Sequence, residues 1–204
     1  PSVSAGWSLV DEPFLKSITN VVSTLKIRGS YGTLGNQAID NYGYLPTLGI
    51  VEKKDLQWIY NGTLPITLNA PGMVRANYTW EKVKTFNLGL DFGFLENKLN
   101  GAFEIYRRNT IGMLGPVRDF PAVAGATAPK QNAADMKTNG WELSINWRDR
   151  IGKVNYGVGF NIYDSYSEIT KYENENKAFA SEDDKTFYVG KQMGEIWGYI
   201  TDGF

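Results

Sequence analysis

The sequence contains no cysteine and no histidine. Without cysteine, neither a disulfide framework nor a thiolate metal site is available. Without histidine, the chain cannot supply a Ser-His-Asp triad, imidazole acid–base catalysis or most types of zinc site. The formal net charge is −1, which gives no indication of a nucleic-acid partner or of an electrostatic membrane anchor.

Long apolar runs are also missing, since none approaches the ~18–20 residues that a membrane-spanning helix needs. The chain opens at Pro1 without a charged stretch followed by an apolar one, so we expect no signal peptide in it. Aromatic residues, by contrast, make up 14% of the 204 residues. This content favours strands and aromatic belts, in a chain long enough for one all-β domain.

Residues 80–109 predict a β-hairpin closed by a two-residue turn at Glu96-Asn97. Because side chains alternate across a strand, this register separates two faces. The apolar face pairs Phe94 with Leu99, Phe92 with Gly101, Leu90 with Phe103, and Leu88 with Ile105. The polar face pairs Gly93 with Asn100, Asp91 with Ala102, Gly89 with Glu104, Asn87 with Tyr106, and Thr85 with Arg108.

A second hairpin is predicted over residues 141–160, with residues 149–152 as a four-residue turn. In this register the apolar pairs are Trp147 with Val154, Ile145 with Tyr156, Leu143 with Val158, and Trp141 with Phe160. The opposite face pairs Asn146 with Asn155, Ser144 with Gly157, and Glu142 with Gly159. Both hairpins therefore have one apolar and one polar face.

The N-terminal part predicts two further strands, over residues 2–10 and 24–31. Between them, residues 11–22 are predicted to be helical, with Asp11 as the cap and Pro13 in the first turn. Tight connections at 96–97 and 149–152 alternate with long ones at 32–79, 110–137 and 167–204, so the long ones share one end of the sheet.

This layout is typical of outer-membrane barrels, which have short periplasmic turns, long extracellular loops and strands with their apolar side toward lipid. The strands are about as long as the ~9–11 residues that cross a bilayer. Aromatic side chains lie near strand ends on the apolar face, as belts at the membrane boundary require: Tyr31, Phe86, Phe94, Trp141, Trp147 and Tyr156. We therefore predict an all-β fold, a partial antiparallel transmembrane β-barrel with long extracellular loops.

Five ordered segments resemble the SusC/RagA-type TonB-dependent outer-membrane transporters: SVSAGW, LKIRGSYGTLGNQ, WEKVKTFNLGLDFGFLENKLNGAFEIYRRNT, MKTNGWELSINW and GYITDGF. The resemblance covers nearly the whole chain and matches the late part of such a barrel. Where the family often has an Asn-x-Gly-x-Met-x-Asn-x-Gly run, this chain has Asn132, Ala134, Met136, Thr138 and Gly140.

The resemblance implies that residues 1–204 are part of a 22-stranded barrel with a plugged lumen, whose plug and N-terminal strands lie outside these residues. It implies TonB-energised import of an oligosaccharide or peptide across the outer membrane of a Gram-negative bacterium. It also implies a SusD-like surface lipoprotein as partner, with outer-membrane lipid around the barrel. We expect no cofactor, catalytic residue, metal or nucleic-acid partner.

Three sets of residues are candidate sites. Loop aromatics are candidates for stacking on sugar rings, for contact with the lipoprotein, or for packing the loop on itself: Tyr42, Tyr44, Trp58 and Tyr60. Polar-face residues are expected to face the lumen, where they are candidates for lining a substrate path, contacting the plug or forming a solvated or salt-bridged wall: Lys26, Arg28, Asp91, Glu104 and Arg108. An acidic set could supply calcium ligands but matches no EF-hand spacing, so a solvated loop is expected: Glu173, Glu175, Glu182, Asp183 and Asp184.

Two other classes of protein stay open at this point. A soluble, secreted β-sandwich that binds glycans would bury the apolar faces of both hairpins against a second sheet. A glycoside hydrolase would use two carboxylates and need no histidine. Asp91 and Glu104 share a face and are the candidate pair for it.

Overall fold

The computed structural model describes residues 1–37, 42–51, 59–69, 71–74, 79–115, 131–172, 188–196 and 201–203. The strands are β1 (Ser2–Ser8), β2 (Val22–Asn36), β3 (Ile50–Val51), β4 (Thr67–Leu68), β5 (Glu81–Phe94), β6 (Leu99–Gly115), β7 (Gln131–Ile151) and β8 (Val154–Tyr172). Six of them form one antiparallel sheet in the order β1-β2-β5-β6-β7-β8, and β3 and β4 form a separate two-stranded ribbon within the connection from β2 to β5.

The β5–β6 hairpin has the predicted register, from Phe94 opposite Leu99 to Thr85 opposite Arg108. Its turn is tight because Glu96 and Asn97 both adopt positive φ, at 57° and 61°, as a type I′ turn requires of its two central residues. The Lys98 amide closes the turn by donating to the Leu95 carbonyl over 3.1 Å. The prediction for this hairpin is therefore confirmed.

The register predicted for the β7–β8 hairpin is wrong. Trp147 lies opposite Val158 rather than Val154, because Ile151 and Val154 still pair and only Gly152-Lys153 form the turn. Gly152 has a φ of 61°, and glycine first in a two-residue turn is a standard hairpin connection. Each partner is displaced by an even number of residues, so every side chain keeps its predicted face.

The predicted helix at 11–22 is a shorter 3-10 helix, Pro13–Ile18, preceded by Glu12 at the N-cap and not by Asp11. Strand β1 is also shorter than predicted and ends at Ser8. Strands β7 and β8, by contrast, are longer than predicted, with 21 and 19 residues. Their additional length lies at the end of the sheet from which the long connections leave. They therefore extend further in that direction than a bilayer alone requires.

The sheet is a single layer with little interior. Among the described residues, the buried hydrophobic side chains are Val22, Ala133, Ala134 and Ile169. Large side chains on the apolar face remain exposed, including Ile27, Phe86 and Leu88 at 40%, 51% and 41%. Within the part of the chain that the structure describes, nothing packs across that face as a second sheet would.

Residues 188–196 pair with the outer edge of β8 near its loop end. The Ile169 amide donates to the Lys191 carbonyl at 2.9 Å, and the Met193 amide donates to the Ser167 carbonyl at 2.9 Å. Ile169 is fully buried there. The rest of the β8 edge and the outer edge of β1 pair with no other described strand, so the sheet is open at both sides.

Candidate functional site

Arg28 on β2 is the centre of an ionic network on the polar face. Its guanidinium Nε lies 3.1 Å from an Asp91 carboxylate oxygen on β5, and its Nη2 contacts the Glu104 carboxylate on β6. The Asn87 amide donates to the other Glu104 oxygen over 2.9 Å. Arg28 thus binds both carboxylates of the candidate hydrolase pair. The network links strands β2, β5 and β6 across the polar face of the sheet.

Glycine opposite a long polar side chain lets that side chain lie flat on the polar face of the sheet. A Cβ built on Gly89 would come within 2.8 Å of the Arg28 guanidinium carbon, and one on Gly140 within 2.5 Å of the Tyr106 hydroxyl. Both distances are below those that real Cβ atoms show, so a side chain at either position would displace its neighbour. The two glycines therefore help fix where Arg28 and Tyr106 lie.

The other predicted polar-face residues lie on the same face but outside the network. Lys26 is directly opposite Asp91, and its stem lies against Gly6. Arg108 is exposed between Thr85 and Thr138, one strand on each side. Among the described residues, neither cation forms a salt bridge, so both present their charge to the space that this face borders.

Substituting Arg28 tests whether the ionic network stabilises the sheet. Arg28→Gln leaves Asp91 and Glu104 without their shared cation, and because all three side chains are about a third exposed we expect only about 1–2 kcal/mol of lost stability. The measurement is the denaturant midpoint of the full-length barrel in lipid vesicles. Lys26→Gln, on the same strand and face, is the matched control, and an equal effect of both changes contradicts the network.

The loop candidates are only partly described. Tyr42, Tyr44 and Tyr60 are 69%, 58% and 64% exposed, so the described part of the loop does not bury them. Trp58 lies outside the described residues, as do the five acidic residues at 173–184. In the described ranges, no group of three or more acidic side chains is placed to hold a metal ion.

The apolar face forms a band bounded by aromatic side chains. Phe94 and Trp147 lie in one cross-strand row at the turn end, and Tyr31 and Phe86 lie opposite each other at the loop end. On β8, Tyr156 and Tyr166 are ten residues apart on this face. At ~3.3 Å per residue and a tilt of ~40°, that separation gives a height of about 25 Å, the height of a barrel's apolar belt.

At the loop end, the band stops at a polar row that the sequence patterns did not indicate. Arg107 Nε donates to the Asn139 side-chain oxygen over 2.9 Å, and the Asn139 amide donates to the Tyr166 hydroxyl over 3.1 Å. These residues occupy neighbouring strands at one level. Sequence alternation gave no signal for this row, because the register between β6 and β7 is set across a long connection.

Asn132 is a second residue that sequence reasoning missed. Its side chain donates to the carbonyls of Thr79 and Gly112 over 2.8 and 2.6 Å and accepts from the Thr79 amide over 2.9 Å. It therefore joins the start of β7 to Thr79, just before β5, and to β6. The family-like run from Asn132 to Gly140 is thus strand, with Ala134 1% exposed.

The turn end has an ion pair of its own at the edge of the band, where Asp149 lies opposite Tyr156. Lys98 Nζ lies 2.9 Å from the Asp149 carboxylate. This hydrogen bond raises the pKa of the Lys98 ammonium above its ordinary value. Because the pair is in contact with solvent, it contributes little to stability but links the β5–β6 turn to β7.

The described residues include no helix with the length and apolar character of a membrane span. The fold and its two faces define a class, the antiparallel β-barrel proteins, and the described residues form an open six-stranded part of such a barrel. A family model described as TonB dependent receptor-like, beta-barrel, matches residues 1–198. The chain belongs to this TonB-dependent receptor β-barrel family, and the predicted fold class and family resemblance are confirmed.

Relatives refine the position within the family. The TonB-dependent receptor SusC of Bacteroides thetaiotaomicron is 35% identical over 192 residues, which is 93% of this chain and 18% of SusC. The TonB-dependent receptor P3 of Formosa agariphila is 27% identical over 212 residues, 100% of this chain and 20% of P3. The chain thus spans about a fifth of the length of these curated relatives.

Solved structures agree with the sequence relatives. The structure of the RagAB peptide transporter superposes with a TM-score of 0.69 at 27% identity, over 83% of this chain and 18% of that chain. The RagAB peptide importer in its 'open-open' state gives 0.67 at 26% identity, over 86% and 19%. These similarities support a SusC/RagA-type transporter.

Proposed function

We propose that this chain is part of the wall of an outer-membrane, TonB-energised nutrient importer. The proposal rests on one observation, an apolar face that no described residue covers and that is bounded by aromatic side chains at a spacing that fits a bilayer. Lipid would cover this face in place of a second sheet, and the opposite face, with Arg28, Asp91 and Glu104, would line the lumen. Lys26 and Arg108 would face the same lumen.

The open edges of the sheet support placing it in a longer polypeptide. Six strands cannot close a barrel of the 22-stranded kind that the family resemblance implies. Unpaired strand edges are not tolerated in lipid. We therefore take residues 1–204 as one piece of a barrel domain, whose plug, TonB-contacting segment and remaining strands lie elsewhere in the protein. Energy coupling would depend on those other parts of the protein. Residues 1–204 would supply part of the barrel wall and some of the extracellular loops.

We further propose a SusD-like surface lipoprotein as partner at the loop end. SusC and RagAB are the relatives that support it, and the second of these is a peptide transporter by name. Oligosaccharide and peptide both remain candidate substrates. The exposed Tyr42, Tyr44 and Tyr60, together with Trp58, would contact the substrate or the lipoprotein, because flat rings stack on either kind of surface.

Fractionation of the source cells tests the membrane placement. An antibody raised against these 204 residues should detect a heat-modifiable outer-membrane band several-fold larger than 22.8 kDa. A soluble band near 22.8 kDa would contradict the proposal and favour the secreted, glycan-binding β-sandwich. The apolar face, which none of the described residues covers, is the feature that argues against that alternative.

An uptake assay then identifies the substrate class. It compares a strain that lacks the receptor with a strain to which the receptor has been restored, using labelled oligosaccharides and labelled peptides. Uptake should need both TonB and the SusD-like lipoprotein. In the same assay, Tyr44→Ala should weaken substrate capture by up to roughly tenfold if the ring stacks on the ligand. Leu45→Ala, at the next position and also exposed, is the control, and equal uptake by both variants argues against a role for Tyr44.

A further inference from the structure

Three cations lie together on the apolar side of the sheet, one in the row that ends the band at the loop end and two just beyond it. Lys84 on β5 and Lys137 on β7 are both directly opposite Asn109 on β6. Arg107 lies two residues from Asn109 on the same strand and is therefore the diagonal neighbour of both lysines, about 7–8 Å away between Cα atoms. We call Lys84, Arg107 and Lys137 the loop-end cation cluster.

The cluster keeps much of its capacity to donate hydrogen bonds. Arg107 is exposed and gives its Nε–H to Asn139, which orients the guanidinium and leaves its two terminal nitrogens without a partner among the described residues. In the same part of the structure, Lys84 forms no ion pair. Lys137 lies 3.5 Å from Glu168, so one carboxylate partly balances three positive charges.

An apolar strip leads directly from the cluster into the band. Phe86 lies opposite Arg107, and Leu88 lies opposite Ile105 one row nearer the turn end. All three apolar side chains are more than a third exposed. A molecule that fits both parts has acidic head groups and long hydrocarbon chains, with the head groups at the level of the membrane boundary.

We propose that the loop-end cation cluster binds the phosphate groups of a phosphorylated glycolipid in the outer leaflet, whose acyl chains lie on the strip. Charge complementarity selects this occupant, because phosphate accepts hydrogen bonds from Arg and Lys in several directions. Basic side chains at a membrane boundary attract anionic lipid head groups. The inference rests on the proposed membrane placement and adds a lipid site to it.

Titration of the full-length receptor with defined lipids tests the site. Purified receptor in neutral detergent is mixed with bisphosphorylated lipid A or with its dephosphorylated form, and native mass spectrometry reports the lipid bound. Lipid A should bind at least about tenfold more tightly than the phosphate-free form, given three basic groups at the surface. The variant Lys84→Gln/Arg107→Gln/Lys137→Gln should lose that preference.

The matched control removes three charges at the opposite end of the sheet, with Lys16→Gln, Lys98→Gln and Lys153→Gln, and should keep the preference. If the triple variant fails to fold, Lys84→Gln/Lys137→Gln keeps the Arg107–Asn139 hydrogen bond and should reduce the preference in part. Equal binding of both lipids by the native receptor, or an unchanged preference in the cluster variants, would overturn the inference. Fractionation of the source cells separately tests the membrane placement, so its failure can be distinguished from failure of the lipid site.

Discussion

Leu143→Arg should prevent or severely weaken assembly of the barrel, whereas Ser144→Arg, at the next position, should be tolerated. Leu143 lies near the middle of the apolar band, opposite Phe103 and Ile162. Arginine at the centre of a bilayer on the lipid side of a barrel costs about 2–4 kcal/mol. Ser144 is on the polar face, where an arginine side chain can stay hydrated.

The comparison is read from full-length receptor folded into lipid vesicles. Heat-modifiable mobility gives the folded fraction, and urea titration gives the midpoint of unfolding for each variant. The two positions are adjacent on one strand and both are half-buried, so a difference between them reflects the face that each side chain occupies. Equal loss at both positions would mean that the apolar face does not contact lipid.

Gly101→Ala should destabilise the sheet by about 2 kcal/mol, the range expected for overpacking. A Cβ on Gly101 would meet the Ser144 backbone oxygen and come within 2.6 Å of the Phe92 ring. A ring can rotate away, but the carbonyl oxygen belongs to the β7 backbone, which is paired with β6 at this level. The new methyl group would therefore push apart two central strands.

Gly29→Ala is the control for this change, since Gly29 lies in the same apolar band on β2. The nearest heavy atoms to a Cβ there are 3.9 and 4.0 Å away, which is ordinary van der Waals contact. We expect less than about 1 kcal/mol of change for Gly29→Ala. Unfolding midpoints in vesicles again give the measurement, and equal sensitivity at both glycines would show that close packing at Gly101 is not the cause.

The β5–β6 hairpin shows how much the sequence could predict. Its turn is local, and apolar and polar residues alternate without interruption on both sides of it. The residue pairs and the face of each side chain could therefore be predicted from positions 80–109 alone. The same alternation placed Lys26, Arg28, Asp91, Glu104 and Arg108 on one face. Which of them touch was not predictable, because Arg28 meets Glu104 only once β2, β5 and β6 are aligned.

The β7–β8 hairpin shows the limit of the same reasoning. Its apolar and polar faces were predicted, but the turn position and every pair were not. An alternating pattern is unchanged when one strand slides by two residues, whereas a slide of one would reverse the faces. Turn geometry at Gly152-Lys153 therefore selected the register, and alternation could not.

The two faces of each strand, the β5–β6 turn and the alternation of short and long connections could thus be predicted from the sequence, because these features depend on neighbours in the chain. The Arg28 network, the Asn132 hydrogen bonds, the loop-end cation cluster and the pairing of residues 188–196 with β8 became visible only in the folded structure. Each of these joins residues that lie far apart in sequence. Their contacts depend on the register between strands, and side-chain alternation fixes that register only to within an even number of residues.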